Sequence, residues 1–180
     1  MSYRSDLRVL SFDNHGILTL REAEAFGVPA AAVRRLVKLG VLTRTGSGVY
    51  RMNEAPVDDL TEFAEAVAQV GPDAFLVDES VLAAHGLAQI NLRTIKVGTP
   101  HRVRRSLPRT VSVQRRELAP HDRDNVGGIP AMSVAAALAA SVGRLLPERA
   151  LDALEKAAGR GLINNSDKLR ILTHIKEISK

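Results

Sequence analysis

The sequence predicts an α+β protein: an N-terminal winged helix-turn-helix over residues 1–54, then a mixed α/β domain over residues 57–180. Three observations carry that prediction. The first 54 residues hold three short helical patterns, closed by two brief β runs around a glycine turn. A polar, turn-forming stretch follows, Asn53-Glu54-Ala55-Pro56. Beyond it, helical and alternating β patterns interleave to the end of the chain. A length of 180 residues accommodates two small domains of this kind.

In the N-terminal part, Ser5 to Phe12 reads as a first helix. Leu7 and Leu10 turn inward, with Val9 a further candidate, and the helix ends near Asn14-His15-Gly16. Thr19 and Glu22 have the spacing of a capping box, in which the hydroxyl takes an orphan amide and the carboxylate reaches back. The second helix stops at Gly27. Val28-Pro29 bridges into a third helix, Ala30 to Leu39, closed by Gly40. Val41 to Arg44 and Gly48 to Met52 are β runs, and Thr45-Gly46-Ser47-Gly48 between them is a hairpin signal.

In the C-terminal part, Asp58 to Val70 reads as a helix with Leu60, Phe63, Ala64 and Val67 on one face. Phe75-Leu76-Val77 is short and apolar, and Asp78 is placed to cap a helix ending at Gly86. Ile95 and Val97, then Val111 and Val113, alternate with polar residues as two half-buried strands. Ser133 caps an alanine-rich helix reaching about Leu145, Pro147 opens another that stops at Gly159, and a last helix starts near Ser166-Asp167.

Hydrophobic residues make up 45% and charged residues 25%, the balance of a soluble globular chain rather than a disordered one. The absence of cysteine excludes a disulfide framework, a thiol nucleophile and a cysteine-based zinc site. No apolar run approaches the roughly 18 residues of a membrane span. Met1 to Asp6 lacks the apolar stretch of a signal peptide, so a cytoplasmic location is expected. The net charge of +5 favours a polyanionic partner, and 19 of the 25 cations are arginines, whose planar fork suits phosphate. Four Phe, two Tyr and no Trp argue against a base-stacking single-strand binder.

The third helix carries the sharpest functional signal. At 100° per residue Val33, Leu36 and Val37 share one stripe, and Arg34, Arg35 and Lys38 lie opposite. A solvated face is the ordinary fate of such residues. Within a helix-turn-helix, however, that face enters the major groove, and Ala30 and Ala31 let the helix N-terminus approach closely. Thr19 joins the same candidate interface. Arg44 and Arg51 flank the small hairpin tip, either as backbone-gripping wing residues or as solvated charges on a tight turn. A second basic patch holds Arg93, Lys96, Arg102, Arg104, Arg105, Arg109, Arg115 and Arg116 without a single acid between them. Such a run exceeds what protects an exposed strand edge and suits a phosphate run, an RNA or an acidic protein.

Catalytic and metal constellations fail on spacing, so no catalytic residue, metal or cofactor is expected. Ser80 and His85 stand five residues apart, about 140° around one helix, and cannot complete a triad with Asp78. The five histidines show no ligand spacing. His121-Asp122-Arg123-Asp124 reads as a polar turn, while Gly127-Gly128 and Gly159-Arg160-Gly161 read as turn and cap glycines. Gly46-Ser47 followed by Asp58-Asp59 echoes a nucleotidyltransferase signature. Adjacent carboxylates point to opposite faces of a strand, however, and these more plausibly begin a helix.

The run Gly16-Ile17-Leu18-Thr19, Phe26-Gly27-Val28-Pro29, Val33-Arg34-Arg35-Leu36-Val37, Gly40-Val41-Leu42 and Gly48-Val49-Tyr50-Arg51 resembles the winged helix of AbiEi-type antitoxins. Ser80 to Leu87, Gly128-Ile129-Pro130 and Ala157 to Ile163 extend the likeness over most of the chain. The resemblance implies an antitoxin that represses its own operon by binding double-stranded operator DNA. Its C-terminal domain would counter a cognate nucleotidyltransferase toxin, by direct contact, by antagonism on a shared target or by covalent modification. The chain is expected to be a monomer or weak dimer, cooperating on DNA. The alternative from another class is an enzyme, an atypical kinase-like modifier of the toxin or a nuclease. The nuclease reading lacks a carboxylate-rich strand ending in Glu-x-Lys.

Overall fold

The computed structural model describes residues 2–88 and 92–178. It is a mixed α+β structure with two sheets. The first six elements are α1 (Tyr3–Phe12), β1 (Ile17–Thr19), α2 (Leu20–Ala25), α3 (Ala30–Lys38), β2 (Leu42–Gly46) and β3 (Val49–Met52). Helix α1 starts where the Ser2 hydroxyl accepts the Ser5 N–H. The expected capping box opens α2: Thr19 Oγ1 accepts from the Glu22 N–H and a Glu22 carboxylate oxygen accepts from the Thr19 N–H. Strand β1 was not among the expected elements. Three residues are too few to show an alternation, and their pairing with β3 supplies the stability, giving the antiparallel order β1-β3-β2. Leu7, Leu18, Val33, Leu42 and Met52 form the core of this N-terminal unit. Val9, a candidate for that core, is instead 60% exposed.

The rest of the chain contributes α4 (Thr61–Val70), β4 (Phe75–Leu76), α5 (Glu79–Ala84), β5 (Ile95–Thr99), β6 (Val111–Arg115), β7 (Arg123–Val126), β8 (Ile129–Met132), α6 (Val134–Ser141), α7 (Pro147–Gly159) and α8 (Asn165–Ile178). The strands order as β6-β5-β4-β8-β7, with β5–β6 and β4–β8 parallel and the other pairs antiparallel. Two-residue β4 is therefore the middle of a five-stranded sheet.

Several expected boundaries move. Helix α4 begins at Thr61 rather than Asp58, because the Asp58 carboxylate accepts from the Leu60 N–H and the Thr61 hydroxyl in a turn before it. Of the polar turn expected at His121 to Asp124, His121 and Asp122 lie in a short 3-10 turn, whereas Arg123 and Asp124 open strand β7 of the β7–β8 hairpin. The expected turn glycines close that hairpin: Gly127 and Gly128 sit at φ +56° and +87°, the positive pair a tight two-residue hairpin requires. Helix α6 ends at Ser141, short of Leu145. Gly161, at φ +67°, follows the end of α7 in the left-handed conformation that Gly159 does not adopt.

The two units share packing. Ile17 of β1 and Val49 of β3 are buried in the C-terminal core with Ala64 and Val67 of α4. Among the described residues no helix is long and apolar enough to cross a membrane.

Candidate nucleic-acid interface

Helix α3 divides as its sequence demands. Val33 is fully buried, Leu36 and Val37 are half-buried, and Arg34, Arg35 and Lys38 are exposed. Among the described residues none of these three cations makes a hydrogen bond or ion pair, so their charge faces solvent. At the helix start Ala31 is exposed and Ala30 half-buried. Thr19 differs, because its hydroxyl is engaged: it donates to Glu22 Oε2 at 2.7 Å and accepts the Glu22 N–H at 3.2 Å.

The hairpin register separates the two wing arginines. Arg44 stands opposite Tyr50, whereas Arg51 stands opposite Thr43 and Ile17. Because side chains alternate along a strand, the two arginines leave opposite faces of the sheet. Arg44 shares the face of Leu18 and Tyr50, against which the helices pack. Arg51 shares the face that carries Ile17 toward α4. They cannot grip one phosphate run together. The tip is also not free. Gln69 of α4 donates to the Thr45 carbonyl at 3.1 Å, and a β-carbon on Gly46 would come within 3.0 Å of the Gln69 side chain. The close approach that Gly46 permits is to α4.

The second basic patch is split. Lys96 and Arg116 belong to an ion network around two buried acids and are not open phosphate ligands. The Lys96 ammonium lies 2.6 Å from Glu79, and Arg116 lies 3.0 Å from Asp78. Arg144 binds both carboxylates, at 2.9 Å to Asp78 and 2.6 Å to Glu79. The side chains of Asp78 and Glu79 are only 2% and 8% exposed. Burial works to raise the pKa of Glu79, but hydrogen bonds from Lys96, its own N–H and Arg144, with the charge of Arg144, outweigh it and hold the pKa below the ordinary 4.5. Asp78 also takes a hydrogen bond from Gln114. It makes no side-chain cap on α5, which corrects its expected role.

Arg102, Arg104, Arg105 and Arg109 remain exposed on the 100–110 crossover between parallel strands β5 and β6. Val103 and Leu107 anchor this helix-free crossover to the core, so the arginines between them face outward. Arg115 donates to the Pro100 carbonyl and braces the start of the same loop. Arg93 is exposed. The Arg105 guanidinium lies over Gly71, where a β-carbon would come within 3.3 Å of it. Gly71 caps α4, two residues beyond the glutamine that holds the hairpin tip. The basic crossover therefore runs beside the hairpin.

Ser80 and His85 do not meet. Ser80 Oγ accepts the Lys96 N–H at 2.7 Å, and the carbonyl of His85 accepts from Arg160. Burial and then the charge of Arg160 hold the His85 pKa below its ordinary 6.5. Sequence reasoning missed Asp78, Glu79 and Arg144 as a network because three cations and two acids from four separate stretches of chain meet only in the fold. It also missed His15, which bridges the two units. Two adjacent acids ending an apolar run were the available signal.

No curated protein matches the chain. In fold it is similar to the crystal structure of the RV2827C protein from Mycobacterium tuberculosis, with a TM-score of 0.50 and 17% sequence identity over 95% of this chain and 71% of that one. Residues 8–53, which span α1 to β3, match the family model described as transcriptional regulator, AbiEi antitoxin.

Proposed function

We propose that the chain is an antitoxin and transcriptional autorepressor, built from a winged helix-turn-helix at residues 1–54 and an antitoxin domain at residues 57–180. The observation that carries this is the uncompensated Arg34, Arg35 and Lys38 face of α3, lying within the stretch that matches the AbiEi regulator model. In this reading α3 enters the major groove of operator DNA, Arg34 or Arg35 forks onto a base edge, and Lys38 and Arg44 meet phosphates. Arg102, Arg104, Arg105 and Arg109 extend the phosphate contact beyond the hairpin. The C-terminal domain counteracts a cognate nucleotidyltransferase toxin in the cytoplasm without an active site of its own.

The test is binding of the full chain to the DNA upstream of its own gene against a scrambled duplex, across a salt series. A preference of roughly a thousandfold is expected. Arg34→Ala or Arg35→Ala should cost about 1–3 kcal/mol at the base it reads, whereas Arg104→Ala should weaken both duplexes alike and flatten the salt slope by about one. Selective binding that survives loss of Arg34, Arg35 and Lys38 together would refute the assignment.

A further inference from the structure

The turn between α1 and β1 is seated on the C-terminal unit through His15. Its ring lies between two acceptors. Nδ1 is 2.7 Å from Asp58 Oδ2, and Nε2 is 2.8 Å from the Gly127 carbonyl oxygen. The side chain is only 14% exposed. A neutral imidazole carries one N–H and one lone pair. It satisfies either Asp58 or Gly127 and turns a lone pair on the other. The doubly protonated ring alone donates to both.

The charged groups on the segments packed against the ring are acidic. The turn 13–16 contributes Asp13, the linker 56–60 contributes Asp58 and Asp59, and the hairpin turn 125–128 contributes no titratable side chain. None of these segments contains Lys or Arg. Partial burial works to raise the pKa of Asp58. Hydrogen bonds from His15, the Thr61 hydroxyl and the Leu60 N–H outweigh it and keep the group ionised below its ordinary 3.8. Gly127 makes room, since a β-carbon there would come within 3.3 Å of the His15 ring.

We propose that His15 is a proton-operated latch between the two units: the imidazolium fastens them together, and its deprotonation loosens the joint and weakens DNA binding by the full chain. The second half rests on the DNA-binding reading above; the first does not. The sign follows from the partners. Both are acceptors, so the latch holds at low pH and is lost as pH rises through the range where an imidazolium gives up its proton.

The experiment is amide hydrogen exchange on the full chain without DNA, at pH 6 and pH 8.5, corrected for intrinsic rates and read at residues 13–18 and 125–129. Wild type should lose roughly tenfold protection at the higher pH, the scale of a charge-assisted hydrogen bond. His15→Asn tolerates the positive φ but is too short to span both partners, so it should be loose at both pH values. Asp58→Asn supplies an amide that a neutral ring can accept from while still donating to Gly127, so it should stay protected at both. Unchanged protection in wild type, or the same pH response in His15→Asn, would overturn the latch. Upstream-duplex binding by wild type should weaken severalfold at pH 8.5 and stay flat in Asp58→Asn. Equal binding at both pH values alongside the exchange change would overturn the coupling. No binding at either pH would reject the DNA reading and leave the latch standing.

Discussion

Removing both guanidiniums that serve Asp78 should be far worse than removing either, and should be partly repaired by neutralising Asp78 itself. In wild type the carboxylate, 2% exposed, receives Arg116 at 3.0 Å, Arg144 at 2.9 Å and Gln114 at 3.2 Å. Arg144→Met leaves Asp78 with Arg116 and Glu79 with Lys96, so each acid keeps one cation. Both guanidiniums are a third to a half exposed in the fold and their loss is cushioned by solvent, so a cost of about 1–2 kcal/mol is expected. Arg116→Met with Arg144→Met strands a buried carboxylate on a single neutral amide. Stranding a buried charge costs about 3–5 kcal/mol, more than twice the single change. At about 2–4 °C per kcal/mol for a chain of this size, the double variant should melt on the order of 10 °C below wild type. Adding Asp78→Asn to that background removes the stranded charge and should recover about 2 kcal/mol, although the same substitution in wild type destabilises. Urea unfolding at pH 7 with matched m-values reads wild type and the four variants. If Asp78→Asn costs as much in the double variant as in wild type, the network is not holding a charge and the reasoning fails.

Against the opposite contribution of the His15 latch, acidification should destabilise the chain through His85 first and through two carboxylates after. His85 has a folded pKa below its ordinary 6.5, so the unfolded chain takes up that proton first and stability begins to fall below 6.5. Glu79 and Asp58 are held below 4.5 and 3.8, so their contributions are present above those values and lost as pH falls through the lower folded ones. His85→Gln should remove the upper stage alone in a pH series of melts; an unchanged upper stage would refute the burial argument. Gly127→Ala forces a side chain onto φ +56° and presses on the flexible end of Leu60, at a cost of about 1–2 kcal/mol by urea unfolding. Gln69→Ala frees the hairpin tip, so exchange at residues 45–48 should rise severalfold with no dependence on pH; protection equal to wild type would mean the tip is held by its own turn.

What the sequence made legible was local. The capping pair Thr19 and Glu22, the apolar stripe of α3, Pro147 at the start of α7 and the glycine turns are set by neighbours within four residues, and each is where the pattern put it. What it hid was cooperative. Strand β1 is only three residues, and β7, with Arg-Asp-Asn, is an edge strand whose composition reads as a turn. Pairing across the sheet decides both. The candidate interface divides in the same way. Arg34, Arg35 and Lys38 needed only helical geometry. The opposite facing of Arg44 and Arg51 needed the register with β1 and β3, and the loss of Lys96 and Arg116 to Asp78 and Glu79 needed the whole second sheet.

Helix α4 explains why the hairpin and the basic crossover lie side by side. Ten residues at 1.5 Å per residue make it about 15 Å long. Just before its start, the His15 ring is held by Asp58. Near its end, Gln69 holds the carbonyl of Thr45, and Arg105 lies over Gly71. Ile17 and Val49 pack between these two grips. A body held at both ends of a rod resists rotation about either end, whereas one held at a single end pivots. The polar grip at the start is an imidazole ring set between two acceptors, and the grip at the end is a neutral amide. In the proposed latch, loss of the His15 proton leaves the hairpin tip seated and frees the α1–β1 turn.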